Sequence, residues 1–328
     1  INDVVFKDPT TKEAEYHSAT IKVIDNSAVG SEQHLVSFED DVEIKVRGNS
    51  TSSKQLGKLP YRLKFAKKHK HDMLGLGYEK RNWTLLANVL DPTMVRNALT
   101  YRLNTLLGQP FCPGYKFVDL VINDEYRGTY QISDHVEVGT NRIDVNEDTG
   151  WYIECARQDM CEEPMINAAS MTMSIKNPEP ESSLTDPTEA AAETAKMITD
   201  LKKEVTDWYT TWASMMDKYN TDPTTFRDPV NGWRSLTDEE TLVNLYTAIN
   251  FTGDYDGFMT VKMYREANGK LCFGPIWDKD LAYGNFDDGE TLVENMDNGM
   301  FKGRIKAIWT DPVFMKKVHD KMQLLTDA

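Results

Sequence analysis

The chain has 328 residues, 40% hydrophobic and 27% charged, and its 52 acidic residues outnumber 37 basic ones for a formal charge of -15. This is the composition of a folded chain, neither disordered nor low-complexity, and the length admits two lobes. No apolar run approaches the ~20 residues of a membrane-spanning helix, and an acidic body repels phosphate backbones, so neither a membrane span nor nucleic acid is expected.

Starting at Ile1 without a charged or apolar leader, the chain reads as a mature form, with secretion left open. Cys112, Cys155, Cys161 and Cys272 lack zinc-site spacing. They read chiefly as buried thiols, with a Cys155 to Cys161 bridge as the alternative in an oxidising compartment.

The first half is predicted to be mostly strand. Segments 20–25, 42–47, 61–65 and 83–87 are short, rich in β-branched or aromatic residues, and often alternate in polarity. Asp91 followed by Pro92 reads as a helix start, and Val95, Leu99, Leu103 and Leu106 recur at helical spacing until Gly108. Segments 117–122 and 126–132 flank Asn123 and Asp124, residues that tolerate the positive φ of a tight hairpin turn.

Residues 177–187 hold three prolines and read as a linker or flap, placing a β-rich lobe over 1–150 and a mainly helical lobe over 151–328. Asp186 as N-cap and Pro187 open a helix in which Ile198, Leu201, Val205, Trp208, Trp212, Met215 and Tyr219 form a packing face. Thr237 with Glu240 reads as the capping box of a second helix running to about Phe251, and Asp311 with Pro312 opens a third.

The densest chemistry lies from Gly253 to Asp280. Asp254 and Asp256 precede an apolar strand over 258–264, Asn268 and Gly269 make a turn, and a strand over 271–276 leads into Trp277, Asp278, Lys279 and Asp280. A two-residue turn would set Met259 opposite Asp278 and Gly257 opposite Asp280, gathering four carboxylates at the mouth of one hairpin. Such a cluster raises its own pKa values unless it holds a metal ion, a shared proton or a basic partner. Two Asp groups about 20 residues apart fit phosphoryl transfer, where the earlier orients a hydroxyl and the later holds Mg²⁺. Solvated loop ends are the plain alternative.

A polyphosphate also needs fixed cations. Arg47 followed by Gly48 and Asn49, then Lys58, Arg62 and Lys64, forms a candidate cradle, with Gly48 permitting close backbone approach. Neither a Walker sequence nor a complete G-x-G-x-x-G is present, since Lys80 stands where a third Gly would follow Gly75 and Gly77. The basic stretch from Lys64 to His71 is too local for a nucleic-acid track.

Arg47-Gly48-Asn49-Ser50, followed by Lys58-Leu59-Pro60-Tyr61-Arg62-Leu63-Lys64, resembles the opening signature of the spore-coat CotH kinase family. The resemblance continues in order through Leu74-Gly75, Trp83 to Asn88, Asp91, Arg96-Asn97, Phe117 to Leu120, Asn123, Tyr126, Gly128, Tyr130, Asn141-Arg142, and Ile276-Trp277-Asp278-Lys279-Asp280 with Gly284. It implies an α+β, two-lobed atypical protein-kinase-like fold, β-rich first and mostly helical after. It also implies binding of ATP with Mg²⁺ or Mn²⁺ in a cleft between the lobes, phosphorylation of Ser or Thr on partner proteins, and an extracytoplasmic or cell-surface location. A monomer is expected.

By that analogy Asp278, with Asp280, holds the metal, and either Asp254 or Asp256 is the catalytic Asp. Arg47 and Lys64 contact nucleotide phosphates, assisted by Arg62, Lys58 and Asn49. Two departures are Asp134, where the family has Glu, and Thr260, where it has Asn. They keep open a weak or inactive pseudokinase acting as a surface binding or assembly protein. A carboxylate-pair glycosidase is a third reading, but it leaves the basic residues unexplained.

Overall fold

The computed structural model describes residues 14–25, 35–52, 56–254, 257–258, 260–285 and 303–327. The chain mixes helix and strand as α+β and divides into two compact units, Ile1–Met94 with Pro113–His135, and Val95–Cys112 with Val136–Ala328. The boundaries therefore differ from a single division near residue 150: the chain leaves the first unit at Met94, returns at Pro113 and leaves again after His135.

The first unit holds a six-stranded antiparallel sheet in the order β1 (His17–Asp25), β2 (Leu35–Val46), β3 (Tyr61–Phe65), β4 (Asn82–Leu86), β6 (Glu125–Asp134), β5 (Tyr115–Ile122). Period-two alternation decides what each face carries. Val42, Ile44, Val46, Tyr61, Leu63, Phe65, Trp83, Leu85, Tyr130 and Ile132 are buried in one cluster, and the residues between them form a polar face. The β5–β6 hairpin closes as expected, with Asn123 and Asp124 at φ 52° and 62°, the double left-handed turn that matches strand twist.

The basic stretch after β3 is tied back to β2. His69 Nδ1 lies 3.0 Å and His71 Nε2 2.8 Å from the Asp40 carboxylate, and the His71 ring stacks on Phe38 at 3.9 Å. The His71 and His69 hydrogen bonds hold the Asp40 carboxyl at about 2, below its usual 3.8. A depressed carboxyl contributes stability above its unfolded pKa and loses it as pH falls through the folded value. The clasp is therefore expected to persist at pH 4 and release only toward pH 2, readable as the Asp40 carboxyl shift in an NMR titration.

The second unit is less purely helical than expected. It carries a five-stranded antiparallel sheet in the order β11 (Cys272–Phe273), β10 (Val261–Arg265), β7 (Trp151–Cys155), β9 (Met171–Asn177), β8 (Met165–Ala168). Its apolar runs, such as Met171, Met173 and Ile175, join the large core cluster. The described helices of this unit are α1 (Arg96–Leu107), α2 (Pro187–Thr221), α3 (Pro223–Arg227), α4 (Glu239–Thr252), α5 (Arg304–Ile308) and α6 (Pro312–Asp327). Residues 178–186 connect β9 to α2 inside this unit, with Ser182 N–H donating to Thr194 Oγ1 at 3.1 Å, so they are an internal loop and not a link between units.

Helix α2 starts where expected: Asp186 Oδ1 accepts from the amides of Thr188 and Glu189, both at 2.9 Å. Leu201, Val205 and Trp212 of the expected stripe are buried with Tyr209, Ala213 and Met216, while Trp208, Met215 and Tyr219 are partly buried. All four cysteines are free thiols, Cys155 and Cys161 buried, and burial pushes both of these thiols up in pKa.

Two helix starts differ from the expectation. Helix α1 begins at Arg96 and not after Asp91, because Met94 takes φ 61° and Asp91 Oδ1 instead closes a local turn onto Thr93 N and Oγ1 at 2.9 and 2.7 Å. Helix α4 is capped by Asp238, whose Oδ1 accepts from Thr241 N–H at 2.9 Å; Thr237 Oγ1 is occupied by the Trp212 indole N–H at 2.9 Å. Asp238→Ala is therefore expected to lower stability by about 1 kcal/mol. Glu240→Ala, which a capping box would make comparably harmful, removes only an exposed pair with Lys321 and should change it by less than about half that. Urea denaturation of the two variants checks the order.

Candidate functional site

The cationic candidates lie on the polar face of the first unit's sheet. In the β2–β3 ladder Lys45 stands opposite Arg62 and Glu43 opposite Lys64, so Lys45, Arg62 and Lys64 share the face turned away from the apolar cluster. Arg47 follows β2 by the same alternation, its amide donating to Pro60 O at 3.0 Å. Lys45 and Lys64 place their ammonium groups 4.7 and 5.0 Å from the centre of the Tyr16 ring. Arg62 Nε is buried with no hydrogen-bond partner among the described residues. Like charges directly opposite on a ladder repel, so the Lys45 and Arg62 pair favours an anion, while Lys64 has the Glu43 carboxylate opposite it on the same face.

Lys45 escaped the sequence reading, although its place two residues before Arg47 would have shown it. Asn49 is exposed, and Gly48 sits at φ 89° with the Thr51 hydroxyl only 2.3 Å from where a Cβ would be, so the turn accepts no side chain without rearrangement.

Lys58 does not stand free for a phosphate. Its ammonium donates to Ala87 O at 3.0 Å and Thr129 O at 2.5 Å and lies 4.5 Å over the Tyr130 ring, and burial lowers its pKa. Asp134 is likewise committed: Tyr78 OH donates to its Oδ2 at 2.7 Å and Gly114 N–H at 2.9 Å. It faces Trp83, on the side of the sheet opposite Lys64, so it does not position Lys64.

The described acidic candidates belong to the second unit, whose hairpin is not in the expected register. Met263 faces Phe273 and Tyr264 faces Cys272, one residue out from the pairing of a two-residue turn, because Gly269 N–H closes back on Glu266 O at 2.8 Å. The last bond across the hairpin is Gly274 N–H to Lys262 O at 2.9 Å, since Pro275 has no N–H to continue the ladder. The ladder therefore carries neither Asp278 nor Asp280.

Helix α1 positions this segment instead. It buries Asn97, Thr100, Tyr101 and Asn104 and, of the stripe expected to face a core, Leu103, whereas Val95, Leu99 and Leu106 are 40%, 51% and 40% exposed. Asn104 grips one residue from both sides: its Nδ2 donates to Ile276 O at 2.8 Å and its Oδ1 accepts from Ile276 N–H at 2.9 Å. Tyr101 stacks on Trp277 at 5.3 Å, Asn97 Oδ1 accepts from Lys279 N–H at 2.9 Å, and Thr100 and Tyr283 bring their hydroxyls to 3.3 Å. Tyr283 N–H donates to Thr252 O at 2.7 Å, tying the far end of the segment to α4.

Asp254 follows the left-handed Gly253 cap of α4 and is 2% exposed. Its Oδ2 forms an ion pair at 2.5 Å with Lys279 Nζ, itself 2% exposed. Gly257 makes room for it, since a Cβ there would lie 2.7 Å from Asp254 Oδ2 and 2.6 Å from Ile249 Cγ1. Asp280 is buried, and its carbonyl accepts from Asn285 Nδ2 at 2.7 Å. Asp278, between buried Trp277 and buried Lys279, is exposed and takes φ 61°. Asp256 lies outside the described residues. The buried Asp254 to Lys279 pair had no sequence signal beyond two opposite charges far apart in the chain.

Breaking a buried pair by removing one partner leaves the other charge uncompensated, at about 3–5 kcal/mol. Asp254→Asn and Lys279→Met are each expected to destabilise on that scale, and the double variant by clearly less than the sum. Guanidinium unfolding of the four proteins in the cycle measures it, and additive losses would mean that the two side chains are not coupled.

The profile of the CotH kinase protein family matches residues 44–328. The chain belongs to this family. No curated protein matches the chain.

Proposed function

We propose that this member of the CotH kinase family is an ATP-dependent protein Ser/Thr kinase of two-lobed, kinase-like arrangement. The observation that carries the proposal is Asp278. Left-handed backbone at a non-glycine residue costs of order 1–3 kcal/mol and persists where its surroundings over-determine it. Here buried neighbours and α1 hold such a residue with its carboxylate in solvent.

Mg²⁺ is ordinarily held by one or two carboxylates together with substrate phosphates and water. Asp278 and Asp280 fit that donor set, and no larger cluster of potential ligands occurs among the described residues. A bound divalent cation would neutralise charge on the phosphate oxygens of ATP. The cationic sheet face suits the other requirement: Arg47, Arg62 and Lys64 are the groups proposed to offset phosphate charge, with Lys45 added to them and Asn49 offering an amide. The orphaned Arg62 Nε is the best sign that an anion completes this face.

Asp254 is given a positioning role, because its carboxylate is spent on Lys279. The task of orienting the acceptor hydroxyl then passes to Asp256. Lys58 is assigned to holding β-strand carbonyls and not to the nucleotide. The same neutralised Asp254, with Thr260 in place of an amide, is what favours the second reading, a pseudokinase that only binds and assembles partners.

The test mixes the protein with radiolabelled ATP, Mn²⁺ and a serine-rich protein. Label transfer is expected, falling at least about 100-fold in Asp278→Ala; transfer that survives this change sinks the assignment. A thermal melt separates the readings, since a ligand at 100 times its dissociation constant adds about 2.7 kcal/mol. No shift with ATP and metal would favour the assembly protein.

A further inference from the structure

Strand β5 ends the six-stranded sheet, so its outer edge faces no described strand. Along it Tyr115, Phe117 and Val121 are 37%, 43% and 57% exposed, and Tyr126, opposite Val121 on β6, is 61% exposed. Period two puts all four on one face, and the Tyr115 and Phe117 rings meet edge to face at 6.0 Å. Scattered exposed apolar residues need no explanation, but a contiguous ridge of four large ones marks an interaction surface.

The backbone points the same way. Asp134 N–H donates to Gly114 O at 3.2 Å, so Gly114 and Asp134 form a hydrogen-bonded pair of the ladder. By antiparallel alternation the pairs at 116, 118 and 120 also bond inward, and the N–H and C=O of Phe117 and Asp119 turn toward the open edge. The one carboxylate on the ridge, Asp119, is covered by Tyr126 OH at 2.8 Å and Thr129 Oγ1 at 3.1 Å. The ridge thus offers strand hydrogen bonds and apolar side chains at two-residue spacing with little free charge.

We propose that β5 is a docking edge for an extended segment of the protein substrate, which adds to the sheet as a further strand and lays alternate apolar side chains on Tyr115, Phe117, Val121 and Tyr126. Strand addition of this kind draws affinity from main-chain bonds and selectivity from alternate side chains. A second copy of the chain is a poorer occupant, because two bodies of formal charge -15 repel. The occupant's identity as substrate rests on the kinase reading; the binding does not, and it requires neither ATP nor metal.

The probe is a fluorescein-labelled synthetic peptide of about six residues, the usual strand length, alternating Val and Thr. Fluorescence anisotropy is expected to show saturable binding to the intact protein, weakened at least about tenfold by Phe117→Ser with Val121→Thr. The same peptide N-methylated at alternate amides, which removes its ladder donors, is expected not to bind. Equal binding to both proteins overturns the proposal, and so does equal binding of the methylated peptide, which would mean apolar adhesion without strand addition. Concentration-dependent dimerisation lost in the variant would also overturn it, by making a second copy the occupant. Peptide binding without any phosphate transfer would leave the docking edge standing and reject only the kinase reading.

Discussion

The arrangement of the acidic segment depends on the polar face of α1. A helix normally buries an apolar stripe, yet α1 turns Asn97, Thr100 and Asn104 inward and leaves Leu99 half exposed. Burying amides without partners costs about 1–3 kcal/mol each, so this orientation is stable only when the segment from Ile276 to Tyr283 supplies the matching groups. The dependence is mutual. That segment makes no bond across the hairpin after Gly274, and the backbone of Ile276 and the N–H of Lys279 take their partners from α1. One helix face therefore replaces a strand partner, and it does so at the residues on either side of Asp278.

The buried ion pair completes the same constraint from α4. Lys279 receives Asn97 at its backbone and Asp254 at its ammonium, so one residue joins the start of α1 to the end of α4. A pair this deep is weak evidence for stability, because desolvation offsets the Coulomb attraction, but it is demanding about geometry. Gly257 fits that demand by leaving Asp254 the space a methyl group would fill. The backbone at Asp278 is fixed from both sides while its own side chain meets solvent.

Much of the first unit was legible because its signals are local. Alternation identified β3 residue for residue, and Asn123-Asp124 announced their turn through the positive φ that those side chains tolerate. The start of α2 was equally plain from Asp186 and Pro187. What failed depended on partners remote in sequence. Periodicity marks an apolar stripe but not whether a neighbour offers polar groups, so of the stripe read on α1 only Leu103 reaches the core and the buried polar face went unseen. Thr237 looked like a cap until the Trp212 indole claimed it, and Asp238 beside it, equally suited chemically, took the role. The later hairpin slipped by one residue because Asn268-Gly269 sits inside a longer turn closed on Glu266.

The candidate site shows the same division between residue type and residue use. Composition flagged every cation near Arg47 alike, but backbone carbonyls at Ala87 and Thr129 claim Lys58, while β2–β3 register sets Arg62 and Lys64 on a polar face with Lys45. It flagged Asp254 and Asp278 alike too, and burial separates them: one is neutralised by a lysine inside the protein, the other is kept in water on constrained backbone. A charge already compensated inside a protein has little left to offer a ligand, whereas one held rigid and uncompensated keeps its full field for whatever arrives. On that ground the chemistry of this chain is to be sought at Asp278 and at Arg62, whose Nε has no partner among the described residues, and not at Asp254 or Lys58, whose charges are matched.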